Sequence, residues 1–264
     1  KEVFANFMAA KMVNPSFPEI NHELNFYLRH YPSAYGVDRT EGANPIRQEL
    51  LNLNEAGQMY GPIIYNKAPI MMRQLESLLG ERIFQEGMRE YLNTFSMKNA
   101  TWPDLIDILD SKVQVDLKRW SNVWVNTPGR PVIELEKNQT ESGYQTVIRQ
   151  YDNREMERSW PQSFRVKLFN ESNQETKQFQ IVSADQDYQI DLNDNWSNYQ
   201  VMLNSDGMGY GLFPVNFDLI TERWESLTEL EKGVQLINMY ENLLEPSLQG
   251  QAGHMTPTAY LEML

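Results

Sequence analysis

The sequence predicts a multidomain chain of α plus β type: a helical stretch, then a β-sandwich, then the start of an α-helical domain. Three observations predict it. Up to Trp124, large apolar residues recur at helical spacing. At Pro128-Gly-Arg-Pro131 the period shortens, and brief aliphatic and aromatic runs follow, separated by Asn, Asp, Ser and Gly. After Asp218 the helical spacing returns. The expected divisions are residues 1–127, 128–217 and 218–264.

The elements follow in order. Val3, Phe4, Phe7, Met8 and Met12 make one apolar helical stripe, which Pro15 and Pro18 stop. Leu24, Phe26, Tyr27 and Tyr31 predict a second helix ending before Pro32. Residues 33–58 read as loop, with Asn44-Pro45 as a turn signal. From Tyr65 a long apolar helix runs to Gly80, a residue type that commonly follows a helix end. Ile83, Phe84, Met88, Tyr91, Leu92 and Phe95 make the next stripe. Thr101-Trp-Pro-Asp104 supplies a hydroxyl cap, a proline in the first turn and an acid three residues after the cap. Trp120, Val123 and Trp124 close the helical region.

The runs at 132–135, 144–149, 164–169, 177–182, 188–192, 199–203 and 210–215 predict a sandwich of about seven strands. Thr228-Glu-Leu-Glu231 is a capping box opening another helix, and Thr256-Pro257 starts one more.

Composition narrows the function. The 264 residues are 41% hydrophobic and 22% charged, which is ordinary for a folded protein. A net charge of −13 argues against nucleic acid as a partner, because phosphate would be repelled. With no cysteine, the chain has no disulfide, thiolate metal ligand or thiol nucleophile. No apolar run is long enough to span a bilayer. Compartment is not legible.

Several constellations fail on inspection. His22-Glu23 begins like a zinc-protease helix, but Phe26 stands where a second histidine is needed. None of His22, His30 and His254 is spaced to form a site with another, and surface or capping roles are expected. Asp191 to Asn195 lacks the glycine and the final acid of a calcium loop. Gly207-Met-Gly209-Tyr-Gly211 precedes an expected strand, not the helix that a phosphate cradle needs.

Two runs remain. Lys1-Glu2-Val3-Phe4-Ala5 carries an acid at a helix start, and Tyr65-Asn66-Lys67-Ala68 carries a phenol at another. A helix-borne carboxylate can ligate zinc, and a protonated phenol can donate to an oxyanion. An acid near a helix N-terminus and a packed tyrosine are the plain alternatives.

In order, these runs resemble the aminopeptidase N-type zinc metallopeptidases. There an Asn-Glu-x-Phe-Ala run supplies the third zinc ligand, and a later Tyr-x-Lys-Gly run opens a helix with an oxyanion-stabilising tyrosine. The interval from Glu2 to Tyr65 suits the family. Lys1, Val3 and Ala68 depart from its usual Asn, Gly and Gly. Trp102 to Leu105, Trp120 to Pro131 and Tyr210 to Asn216 are similar to later runs of the same family.

The resemblance implies that residues 1–127 are the helical second half of a thermolysin-like catalytic domain lacking its His-Glu-x-x-His half. It implies hydrolysis of N-terminal residues from peptide substrates in the intact protein. Zinc would be held by Glu2 and two histidines of the missing N-terminal half, and Tyr65 would stabilise the oxyanion. This chain alone is expected to be inactive and to hold zinc poorly. The alternative is a catalytically dead relative acting as a scaffold or interaction protein, which Lys1, Val3 and Ala68 would favour.

Overall fold

A computed structural model describes residues 2–50, 52, 54, 57, 60–152, 154, 158–171, 176–183, 187–245 and 256–263. Lys1 and His254 lie outside them, as does the side chain of Glu2.

The first half is helical: α1 (Glu2–Val13), α2 (His22–Asp38), a π-helical turn (Ile63–Lys67), α3 (Ala68–Leu79), α4 (Glu81–Thr94), α5 (Trp102–Asp110) and α6 (Leu117–Val125). Local chemistry sets the ends. Asn21 caps α2 by accepting from the Leu24 amide at 3.0 Å. Gly80, at φ 77°, separates α3 from α4. Thr101 and Asp104 close a reciprocal capping box on α5.

One expected boundary was misplaced. The second helix does not stop before Pro32 but passes through it to Asp38, so 33–38 is not loop. Proline forfeits one helical hydrogen bond there. The stripe Tyr27, Tyr31, Ala34, Tyr35 and Asp38, all buried, outweighs that loss by packing inward on both sides of the proline.

The strands β1 (Pro131–Thr140), β2 (Gly143–Asp152), β3 (Gln162–Asn170), β4 (Thr176–Ser183), β5 (Asp187–Leu192) and β6 (Tyr199–Met202) make two antiparallel sheets, ordered β1-β2-β5 and β4-β3-β6. Ile133 and Ile148 of the first sheet share one apolar cluster with Phe164, Val166 and Val201 of the second. The seventh expected strand, over 210–215, is absent as a strand. Leu212 makes a single parallel bridge to Val132, with hydrogen bonds to Pro131 and Ile133 on either side. Pro214 has no amide to extend that ladder.

Then come α7 (Phe217–Arg223), α8 (Glu229–Leu243) and α9 (Pro257–Met263). Phe169 and Met202 of the second sheet pack with Leu219 and Met239 of α7 and α8. The helical core itself reaches beyond residue 127, since Trp160, Tyr210 and Val234 belong to the same cluster as Tyr35, Leu75 and Trp124. No described helix is long and apolar enough to cross a membrane.

Candidate active site

Gly61 and Pro62 lead into the π turn, where the Ala68 amide reaches back to the Ile63 carbonyl, five residues away. Such turns are rare and recur at functional sites because the extra residue re-aims its neighbours. Tyr65 lies at the middle of this one. The residue is 41% exposed and its ring stacks on Tyr60, centroids 6.0 Å apart.

Tyr65 lines a cavity of about 780 Å³ between α1, α2 and α3, together with Asn6, Ala10, Arg29, His30 and Arg73. Its lining mixes charged and apolar side chains. Lys11 pairs with Glu76, and Arg73 with Glu23. Arg73 also covers the Phe26 ring.

The two residues after Tyr65 reach back toward α2. His30 Nδ1 meets Asn66 Oδ1 at 3.2 Å. The amide oxygen accepts, so the neutral imidazole carries its proton on Nδ1 in this contact. Burial lowers the His30 pKa, helped by the neighbouring Arg29 cation and opposed by the contacts to Asn66 and the Tyr65 backbone. Lys67 is fully buried, with Nζ 2.6 Å from Asp38 Oδ2.

Of the two expected site residues, Tyr65 is therefore at a cavity wall. Glu2 opens α1, and the turns of α1 that follow it contribute Asn6 and Ala9 to that same wall. A second, more apolar cavity of about 860 Å³ takes Val3, Phe4, Ile64, Met72 and Trp102. His22 bonds the Phe17 carbonyl at 2.8 Å, a local capping contact. Among the described residues, no group of three or more His, Cys, Asp or Glu side chains could hold a metal ion.

His30 departs from the surface or capping role expected of it: it is half-buried, bonds Asn66 and lines the cavity. Asp38 and the burial of Lys67 carry no signal in the sequence. Lys67 belongs to the Tyr65 run, but a lysine is ordinarily solvated, and nothing in the spacing pairs it with Asp38.

Comparison with known proteins adds the family. Residues 1–124 match the model described as "Peptidase family M1 domain". The chain is 31% identical over 134 residues to "Probable aminopeptidase 1" of Sulfurisphaera tokodaii, covering 51% of this chain and 17% of that protein. It is 32% identical over 139 residues to "Puromycin-sensitive aminopeptidase" of Caenorhabditis elegans, covering 53% and 15%. "Aminopeptidase N" of Lactobacillus helveticus is 29% identical over 133 residues, covering 50% and 16%. The chain thus spans a minor part of the length of the curated relatives it matches. Residues 1–124 thus resemble the M1 peptidase domain, and the relatives similar over that stretch are named as aminopeptidases.

Proposed function

We propose that this chain forms one wall of a zinc aminopeptidase site, in which Tyr65 donates a hydrogen bond to the oxygen that gains charge as a peptide bond is attacked. The observation that carries the reading is the exposed Tyr65, held by a π turn against a cavity of about 780 Å³ that also takes the charged side chains of Arg29, Arg73 and Glu76. Donors aimed at developing charge in a partly enclosed site act more strongly on the transition state than on the ground state. Helical periodicity supports Glu2 as a neighbour of that site. Its backbone position falls on the stripe of Asn6 and Ala9, one and two turns on, and both line the cavity.

The donors among the described residues do not complete a zinc site. A zinc ion takes three protein ligands in a catalytic centre, and the described residues hold no such group. Glu2 would supply one carboxylate, and the remaining ligands and the general base would come from a segment not in this chain. Peptides are then the substrate class, and the N-terminal residue is the one released.

Ala68 tells against the catalytically dead alternative. It stands where the resemblance has glycine, but its φ of −63° and ψ of −38° are ordinary helical values. Alanine fits that backbone without strain, so the substitution leaves the Tyr65 turn intact.

The test is Tyr65→Phe in the full-length protein, with an aminoacyl-p-nitroanilide as substrate. Loss of one oxyanion donor lowers kcat about a hundredfold or more and leaves KM nearly unchanged. Equal kcat in variant and parent would remove Tyr65 from the chemistry.

A further inference from the structure

The ion pair between Lys67 and Asp38 is fully buried and lies outside the lining of the cavity beside Tyr65. A buried pair with every proton and lone pair satisfied is costly to assemble and costly to break. This one joins four parts of the chain. Lys67 Nζ contacts Asp38 Oδ2 at 2.6 Å and donates to the Gly129 carbonyl at 2.8 Å. It also faces the rings of Tyr210, at 5.4 Å, and Trp160, at 6.0 Å. Asp38 accepts from the Tyr210 hydroxyl at 2.8 Å and from the Gly129 amide at 3.3 Å. So α2, the π turn, the segment leading into β1 and the segment after β6 meet at one charge pair.

Lys67 is two residues after Tyr65. Residues so spaced on a helix point to different sides. An inward lysine locked at its tip therefore holds the outward tyrosine at a fixed rotation. The second tie, from Asn66 to His30, secures the same turn from the same helix.

We propose that Asp38, Lys67 and Tyr210 are positioning residues that fix the rotation of the π turn and so aim the Tyr65 hydroxyl, making that aim depend on how the residues around Tyr210 dock on α2. This rests on the reading of Tyr65 as the oxyanion donor. The geometric demand is strict, since a shift of about 1 Å at a reacting group can cost about a hundredfold in rate. Burial lowers the Lys67 pKa, and the Asp38 charge and hydrogen bond oppose that shift.

The experiment uses the full-length protein with Asp38→Asn and Tyr210→Phe, each alone and combined with Tyr65→Phe. Tyr210→Phe removes one hydroxyl and keeps the ring against Tyr35 and Trp124, so it folds even if Asp38→Asn does not. With an aminoacyl-p-nitroanilide, each single variant lowers kcat about tenfold or more and moves KM less than about twofold. In the Tyr65→Phe background neither causes a further loss, because there is no hydroxyl left to aim. Amide hydrogen exchange speeds up about tenfold or more over 63–68 and is unchanged over α4 and α5.

Losses that multiply in the Tyr65→Phe background, or exchange over 63–68 that matches the parent, overturn the proposal. Full activity in Tyr65→Phe alone sinks the catalytic reading instead, and the exchange measurement still decides whether the pair holds the turn.

Discussion

His30 shows how one side chain couples the candidate site to pH. Its pKa is lowered from 6.5, chiefly because burial disfavours the imidazolium, with Arg29 adding repulsion. The unfolded chain therefore takes up the proton first as the solution is acidified. Above about 6.5 both states are neutral and pH has no effect through this group. Stability falls as pH drops from there toward the lowered folded value, and below that value the loss is constant. His30→Gln retains an amide that can donate to Asn66 and removes the titration. Denaturant midpoints at about pH 7.5 and pH 5 should then fall less on acidification in the variant than in the parent. Equal falls would show that another group governs that range. The Tyr65 run was legible as a motif because its residue types and interval match a family pattern. The partners of its neighbours were not, since Asn66 meets His30 and Lys67 meets Asp38 through folding of α2 against the turn.

Among elements, those with strong local signals were read correctly from the sequence. The Thr101 and Thr228 capping boxes, the Gly80 break and the amphipathic stripe of α4 are all in place. Errors arose where tertiary contacts override local rules. Pro32 lies inside α2 because buried tyrosines flank it, and 210–215 fails as a strand despite its aromatic composition. Gly211 there lies so close to Pro131 that a Cβ would come within 2.9 Å of the Pro131 carbonyl oxygen. Gly129 combines both kinds of constraint. Its φ is +99°, and an added Cβ would approach Arg154 Nε to 3.1 Å. Its amide and carbonyl also serve Asp38 and Lys67. Gly129→Ala should cost about 1–3 kcal/mol from backbone strain. Chemical denaturation measures it, and a change smaller than about 0.5 kcal/mol would mean the segment relaxes freely.

At the scale of the whole molecule, the helical first half and α8 are joined by charge as well as by apolar packing. Glu241 is nearly fully buried on α8 and takes two cations. Arg39, just past α2, reaches Oε1 at 2.8 Å, and Arg130, entering β1, reaches Oε2 at 2.8 Å. Arg130 is itself buried and covers the Tyr35 ring at 4.5 Å. The arrangement places Glu241 close to the Asp38–Lys67 pair in chain connectivity, since Arg130 follows Gly129 directly and Arg39 follows Asp38 directly. Removing the carboxylate leaves a buried guanidinium without its anion, which typically costs about 3–5 kcal/mol. Glu241→Ala should therefore loosen α8 locally before the rest of the molecule yields. Hydrogen exchange over 234–243 should accelerate about a hundredfold or more, with α4 and α5 little changed. If exchange in α8 stays at the parent rate, the Met239 and Leu219 packing alone secures the helix, and the two arginines contribute only what surface charges would.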